Sequence, residues 1–164
     1  MSRYHTKTSS KYDDYMTPKS AWEAIISYIP RNLVVWEAFY GDGQSGRYLT
    51  ELGLNVIHEK DLDFFQENKG DIIISNPPFT LKKQVLERLK TLDKPFILLC
   101  PIGMLLTNYF RNLFGEECQF IIPRKRIQFI KIENGVPHYD RRCNFDCCYF
   151  CYKLNLEKDV IFLT

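Results

Sequence analysis

Between residues 33 and 154 short apolar runs alternate with segments of helical spacing, and this alternation restricts the chain more than any other feature. Strand and helix in turn are the mark of a mostly parallel sheet covered by helices. The pattern predicts strands at 33–37, 54–58, 71–75, 96–100, 118–122, 126–131 and 145–154, with helices at 47–52, 80–92 and 104–114. Gly53 is placed to end the first of these helices and Thr80 to cap the second. Ahead of the sheet, Trp22, Ile25, Ile26 and Ile29 form an apolar stripe at helical spacing; Thr17 reads as its cap, Pro18 as its first position and Pro30 as its end. Asn134-Gly135 is a turn signal, but the connection from 131 to 145 is too long for a tight hairpin.

A chain of 164 residues supports one domain with a real core, expected here over 15–164. Residues 1–14 are polar, without apolar periodicity, and read as a flexible basic and polar arm. With 45% hydrophobic and 26% charged residues, and no apolar run near the roughly 20 residues that span a bilayer, a membrane protein is not expected. The amino-terminal residues lack the apolar stretch of a secretory signal, so an intracellular location is expected. A net charge of +2 is too small to argue for nucleic acid by itself; two clusters, Arg124-Lys125-Arg126 and Arg141-Arg142, carry any such argument, and solvated surface charge is the plain alternative.

Cys143, Cys147, Cys148 and Cys151 crowd into one stretch, yet residues 145–154 read as a buried strand. Side chains three apart on a strand point to opposite faces, so Cys148 and Cys151 cannot readily share a metal ion, and reduced, packed thiols are expected instead of a zinc site or disulfides.

Two segments carry chemistry. Glu37-Ala38-Phe39-Tyr40-Gly41-Asp42-Gly43 lies where the first predicted strand ends, the edge at which open α/β sheets bind ligands. Glycine allows close backbone approach there, and an acidic strand tip can accept hydrogen bonds from an amine or a ribose hydroxyl; a purely structural turn or a dinucleotide site fits the same residues. Asn76-Pro77-Pro78-Phe79 follows a buried strand directly. A polar-Pro-Pro-aromatic tetrapeptide arises by chance in only about 1% of chains this long. Its prolines make a stiff, extended corner whose carbonyls stay out of helix or ladder and are open to a substrate amine.

Together these motifs resemble the N6-adenine methyltransferases, in particular the small enzymes of phages and large DNA viruses. Tyr15-Met16-Thr17-Pro18 resembles the family's amino-terminal cofactor motif, Glu37 through Gly43 its acidic glycine loop, Asp63-Phe64-Phe65 the element bordering the cofactor adenine, and Asn76 to Phe79 its catalytic tetrapeptide. Arg126-Ile127-Gln128-Phe129 resembles a later segment that helps hold the target base. The resemblance implies a Rossmann-like fold with an antiparallel strand near the carboxyl end and helices on both faces. It implies S-adenosylmethionine as cofactor, S-adenosylhomocysteine as product, and methyl transfer to adenine N6 in nucleic acid, DNA before RNA.

By that resemblance Thr17, Glu37, Phe39, Gly41, Gly43, Glu59, Asp63 and Phe64 would serve the cofactor. Thr17 would meet the methionine carboxylate, Glu37 the amine or ribose region, Glu59 the ribose hydroxyls, and Asp63 with Phe64 the adenine. His58 and Asp61 compete for the role of Glu59. The Asn76 oxygen and the Pro77 carbonyl would accept both amine hydrogens, Pro78 would stiffen the corner, and Phe79 would stack on the target ring. Phe129 would form the other wall, although a strand aromatic is as readily core packing. At 164 residues the sequence is expected to hold no separate target-recognition domain. Arg124, Lys125, Arg126, Arg141 and Arg142 would hold phosphates, and a homo- or hetero-oligomer would be one source of target recognition. Two other functions fit the same residues: methylation of a glutamine side chain in a protein, and a catalytically silent binding subunit that partners an active chain.

Overall fold

The computed structural model describes residues 15–139 and 145–164; the expected arm at 1–14, together with Arg141, Arg142 and Cys143, lies outside the described residues. Seven strands form the main sheet: β2 (Val34–Trp36), β3 (Asn55–Ile57), β4 (Ile72–Ser75), β5 (Phe96–Pro101), β6 (Cys118–Ile122), β9 (Cys147–Tyr152) and β10 (Val160–Phe162). Their spatial order is β10-β6-β9-β5-β4-β2-β3. β9 runs antiparallel to both its neighbours, and every other pairing is parallel. The fold is therefore the expected α/β arrangement, a mostly parallel sheet with one reversed strand near the carboxyl end.

Consecutive side chains on these strands enter two different cores, as period-two alternation requires. Ile72, Ile74, Ile97, Leu99, Tyr149 and Cys151 pack on one face with Trp22 of α1 (Lys19–Glu23) and Leu49 of α2 (Gln44–Glu51). Ile73, Phe96, Leu98, Cys148 and Phe150 pack on the other with Leu86 of α3 (Lys82–Leu92) and Phe110 of α4 (Asn108–Leu113). Burial on both faces explains why these strands read as continuous apolar runs. Cys148 and Cys151 fall on opposite faces; burial pushes the Cys148 thiol up to about 12 and raises Cys151 as well, leaving both inert.

A second sheet joins β1 (Tyr15–Met16), β7 (Ile130–Glu133) and β8 (Val136–His138) in the order β1-β7-β8. Four local expectations are corrected here. The segment 126–129 is not strand, since pairing begins only at Ile130, where β1 supplies a partner. Asn134-Gly135 closes a tight hairpin with Glu133 opposite Val136, both turn residues having positive φ (50° and 75°), so the hairpin strand is β8, not the distant 145–154. Thr17 does not cap a helix: Pro18 occupies that position with no side-chain cap, α1 ends at Glu23, and a 3₁₀ turn at Ile26–Tyr28 carries on the apolar stripe. Thr80 likewise sits inside a 3₁₀ turn, Phe79–Leu81, ahead of α3. Among the described residues no helix is long and apolar enough to cross a membrane.

Candidate active site at the carboxyl rim of the sheet

From β2 the chain goes to β3 on one side and returns to β4 on the other. The connections thus diverge at the carboxyl ends of β2 and β4, the crevice where open α/β sheets hold ligands. Glu37 directly follows β2, and Ser75 and Asn76 stand at the end of β4.

Glu37 is buried, with 3% of its surface accessible. Its Oε1 accepts hydrogen bonds from the Phe39 amide at 3.0 Å and from the Ser75 hydroxyl. Burial dominates over these two donors and pushes its carboxyl up to about 8, so at neutral pH it holds its proton. The chain then turns through Gly41 (φ 58°) and Gly43 (φ 82°) into α2. A Cβ at Gly43 would stand 2.7 Å from the Tyr40 hydroxyl, so both its conformation and its surroundings exclude a side chain. Met16 packs its sulfur on the Gly41 backbone, 3.6 Å from where a Cβ would lie.

Thr17, at the end of β1, is also buried and reaches the same rim. The Asn76 amide Nδ2 donates to the Thr17 hydroxyl oxygen at 2.9 Å. In this orientation Asn76 Oδ1 is buried without a hydrogen-bond partner. An unpaired buried acceptor costs about 1–3 kcal/mol, so such atoms are rare in folded proteins and concentrate where a ligand completes them. Of the diproline carbonyls, Pro78 is not free as expected: it accepts from the Leu81 amide at 3.0 Å and opens the 3₁₀ turn. No hydrogen bond to the Pro77 carbonyl occurs among the described residues.

The structure brings Thr17, Glu37, Gly41 and Asn76 together through these contacts; the aromatic candidates are placed differently. Phe79 meets Phe129 edge-to-face at 6.4 Å and 90°, and Phe145 at 5.1 Å and 79°, so Phe79 and Phe129 are not parallel walls of an open slot. Phe129 has 2% of its surface accessible and belongs to the core. Phe64 is wholly buried, packed on Trp36 at 5.7 Å and on Phe39 at 4.8 Å, and presents no surface to a cofactor. Asp63 caps its own turn by accepting from the Phe65 amide at 2.9 Å. Glu59 is exposed, just past the end of β3 on the same rim, while His58 stacks on Tyr40 at 6.2 Å with its Nδ1 buried and unpartnered. Arg124, Lys125 and Arg126 are exposed beyond the carboxyl end of β6, and Arg126 pairs with Asp146 at 2.9 Å.

Sequence reasoning missed three contributors: Ser75 as the hydroxyl that holds Glu37, Thr17 as the anchor of Asn76, and Phe145 as the ring against Phe79. Only Ser75 left a signal, as the polar residue closing the apolar run Ile72-Ile73-Ile74. Among the described residues no group of three His, Cys, Asp or Glu side chains converges as a metal site requires.

No family model matches the chain, and no curated protein matches it in sequence. Among solved structures it is similar to a dimethyladenosine transferase from Plasmodium falciparum, with 14% identical residues and a TM-score of 0.48. The similarity covers 83% of this chain and 62% of that one, so the chain spans less than two thirds of that protein's length.

Proposed function

We propose that the chain is an S-adenosylmethionine-dependent methyltransferase acting on the exocyclic N6 amine of adenine in nucleic acid, DNA before RNA. The observation that carries this reading is Asn76 Oδ1, a buried and unsatisfied acceptor at the switch point of a mostly parallel sheet. An amine that donates one hydrogen to this oxygen and the other to the Pro77 carbonyl keeps its lone pair out of ring conjugation, and so becomes nucleophilic.

The residues on the other side of the switch point suit the cofactor. Gly41 and Gly43 carry no side chain of their own, with the Met16 sulfur 3.6 Å and the Tyr40 hydroxyl 2.7 Å from where their Cβ atoms would lie. A cationic amine beside Glu37 would favour loss of its carboxyl proton to water, leaving an ammonium–carboxylate pair. Glu59, exposed at the end of β3, supplies acceptors for ribose hydroxyls. When bound, S-adenosylmethionine supplies a sulfonium-activated methyl group; the nitrogen of the target takes the methyl and its surplus proton passes to water. Asn76 serves twice, holding the amine in place and drawing its hydrogens away from the lone pair. Because the Phe79 ring packs edge-on to two neighbours, admitting a target base requires Phe129 or Phe145 to move.

The test is incubation of the protein with radiolabelled cofactor and mixed DNA and RNA, followed by nucleoside mass spectrometry. Label in N6-methyladenine that vanishes in Asn76→Ala is the expected result; no transfer by folded wild-type protein overturns the reading. The closed aromatic packing favours one rival, a silent binding subunit. Cofactor titration by calorimetry separates the two, since an empty pocket belongs to the rival.

A further inference from the structure

We infer that the cleft between α1 and the segment 123–128 is a seat for an unpaired nucleotide of the substrate strand beside the target base, with its phosphate held by Arg124 and Lys125. The inference rests on the proposed nucleic-acid substrate and deepens it, since a base seated in a cleft cannot be paired.

The cleft has a volume of about 710 Å³ and is lined by Pro18, Ala24 and Tyr28 on one side and by Arg124, Lys125 and Gln128 on the other. That is within the range of about 300–1,000 Å³ in which small-molecule sites fall. Its position follows from the topology. β6 runs parallel to β4 through two antiparallel pairings with β9, so its carboxyl end, where the basic segment begins, lies on the same rim as Asn76. Its other wall starts at Pro18, one peptide from the Thr17 hydroxyl that holds Asn76. Ligand groups at the reaction centre and in the cleft would therefore be neighbours on one strand.

Contacts brace both walls. The Tyr149 hydroxyl donates to the Ala21 carbonyl at 2.5 Å, tying α1 to the sheet. Arg126 pairs with Asp146 and donates to the Phe145 carbonyl at 3.4 Å, pinning the basic segment from its far end. Arg126 is thus a positioning residue, and its two neighbours differ from it. Arg124 and Lys125 are exposed and make no ion pair or hydrogen bond with any described residue, so their charge is available to an anion. Tyr28 adds a ring and Gln128 an amide, the groups that stack on and hydrogen-bond to an unstacked base.

The experiment is fluorescence anisotropy with a labelled single-stranded oligonucleotide, on the full chain without cofactor, between about 50 and 200 mM salt. Replacing Arg124 and Lys125 together by Ala should weaken binding about tenfold or more and flatten the salt slope by about 0.7, the contribution of the one phosphate they share on a single strand. Ala24→Trp fills the cleft without touching charge, and should weaken binding while leaving the slope unchanged. All three positions are exposed, so thermal melts should match the wild type. Unchanged affinity in either variant overturns the inference, and so does an acidic peptide of equal charge that binds as tightly as the oligonucleotide. If both variants behave as expected but no methyl transfer occurs, the cleft stands and the methyltransferase reading fails. If methylation occurs and the variants bind normally, the reverse holds.

Discussion

The Asn76 amide nitrogen and the Thr17 hydroxyl, separated by 59 residues in sequence, meet at 2.9 Å, and this bond ties the side chain of the diproline corner to the end of β1. Thr17→Val keeps the shape of the side chain and removes the acceptor. The buried amide nitrogen then lacks its partner, and the Asn76 side chain loses its tie to β1. We expect methyl transfer to fall about 10–100-fold and stability by about 1–3 kcal/mol, with Thr17→Ser restoring most of both. Kinetics and thermal melts on the three proteins check this; a Val variant as active as wild type removes Thr17 from the mechanism.

Glu37 makes stability depend on pH with a definite sign. Its carboxyl is pushed up to about 8 in the folded chain from an ordinary 4.5, so between those values the folded state binds a proton that the unfolded state has released. The contribution is fully present below the unfolded value and is lost as pH rises through the folded one, with an upper bound of about 5 kcal/mol. Glu37→Gln does not ionise. It should melt higher than wild type near pH 9 and close to wild type near pH 5. Melting curves that stay parallel across this range would show that Glu37 ionises normally.

How far these relationships are legible beforehand depends on their range. Runs buried on both faces, such as Ile72-Ile73-Ile74 and Phe96 to Cys100, announce their strands, and the Asn-Pro-Pro-Phe corner announces its site, because composition and local stiffness decide both. β1, β8 and β10 are only two or three residues long and exist because a partner strand is present, which no local pattern records. The Thr17 to Asn76 bond has no spacing rule behind it. Phe64 and Phe129 resemble cofactor and substrate rings in sequence, since an aromatic in a connecting segment has the same composition whether it faces a ligand or the core.

The Tyr149 hydroxyl bonded to the Ala21 carbonyl is the buried link between β9 and α1. Tyr149→Phe leaves that carbonyl unpaired and should cost about 1–3 kcal/mol. Denaturant unfolding measures it, and a loss below about 0.5 kcal/mol would mean that the carbonyl finds another donor.

Gly46 lets α2 lie directly on His58: a Cβ there would come within 2.3 Å of the imidazole Cγ and 2.5 Å of the His58 Cβ. Because the second of these atoms is fixed to the backbone of the segment following β3, a rotamer change cannot relieve the clash. α2 itself must shift, and with it the Gly41 to Gly43 turn that leads into it. Gly46→Ala should therefore destabilise by about 1–3 kcal/mol despite the better helix propensity of alanine. His58→Ala removes the ring but keeps its Cβ, so in combination it should recover only part of the loss, whereas His58→Gly should recover more of the packing. A double-mutant cycle on residues 46 and 58, read by chemical denaturation, should give a favourable coupling of about 1 kcal/mol or more. Additive losses would place the strain elsewhere in α2 and free His58 from setting the height of the glycine turn.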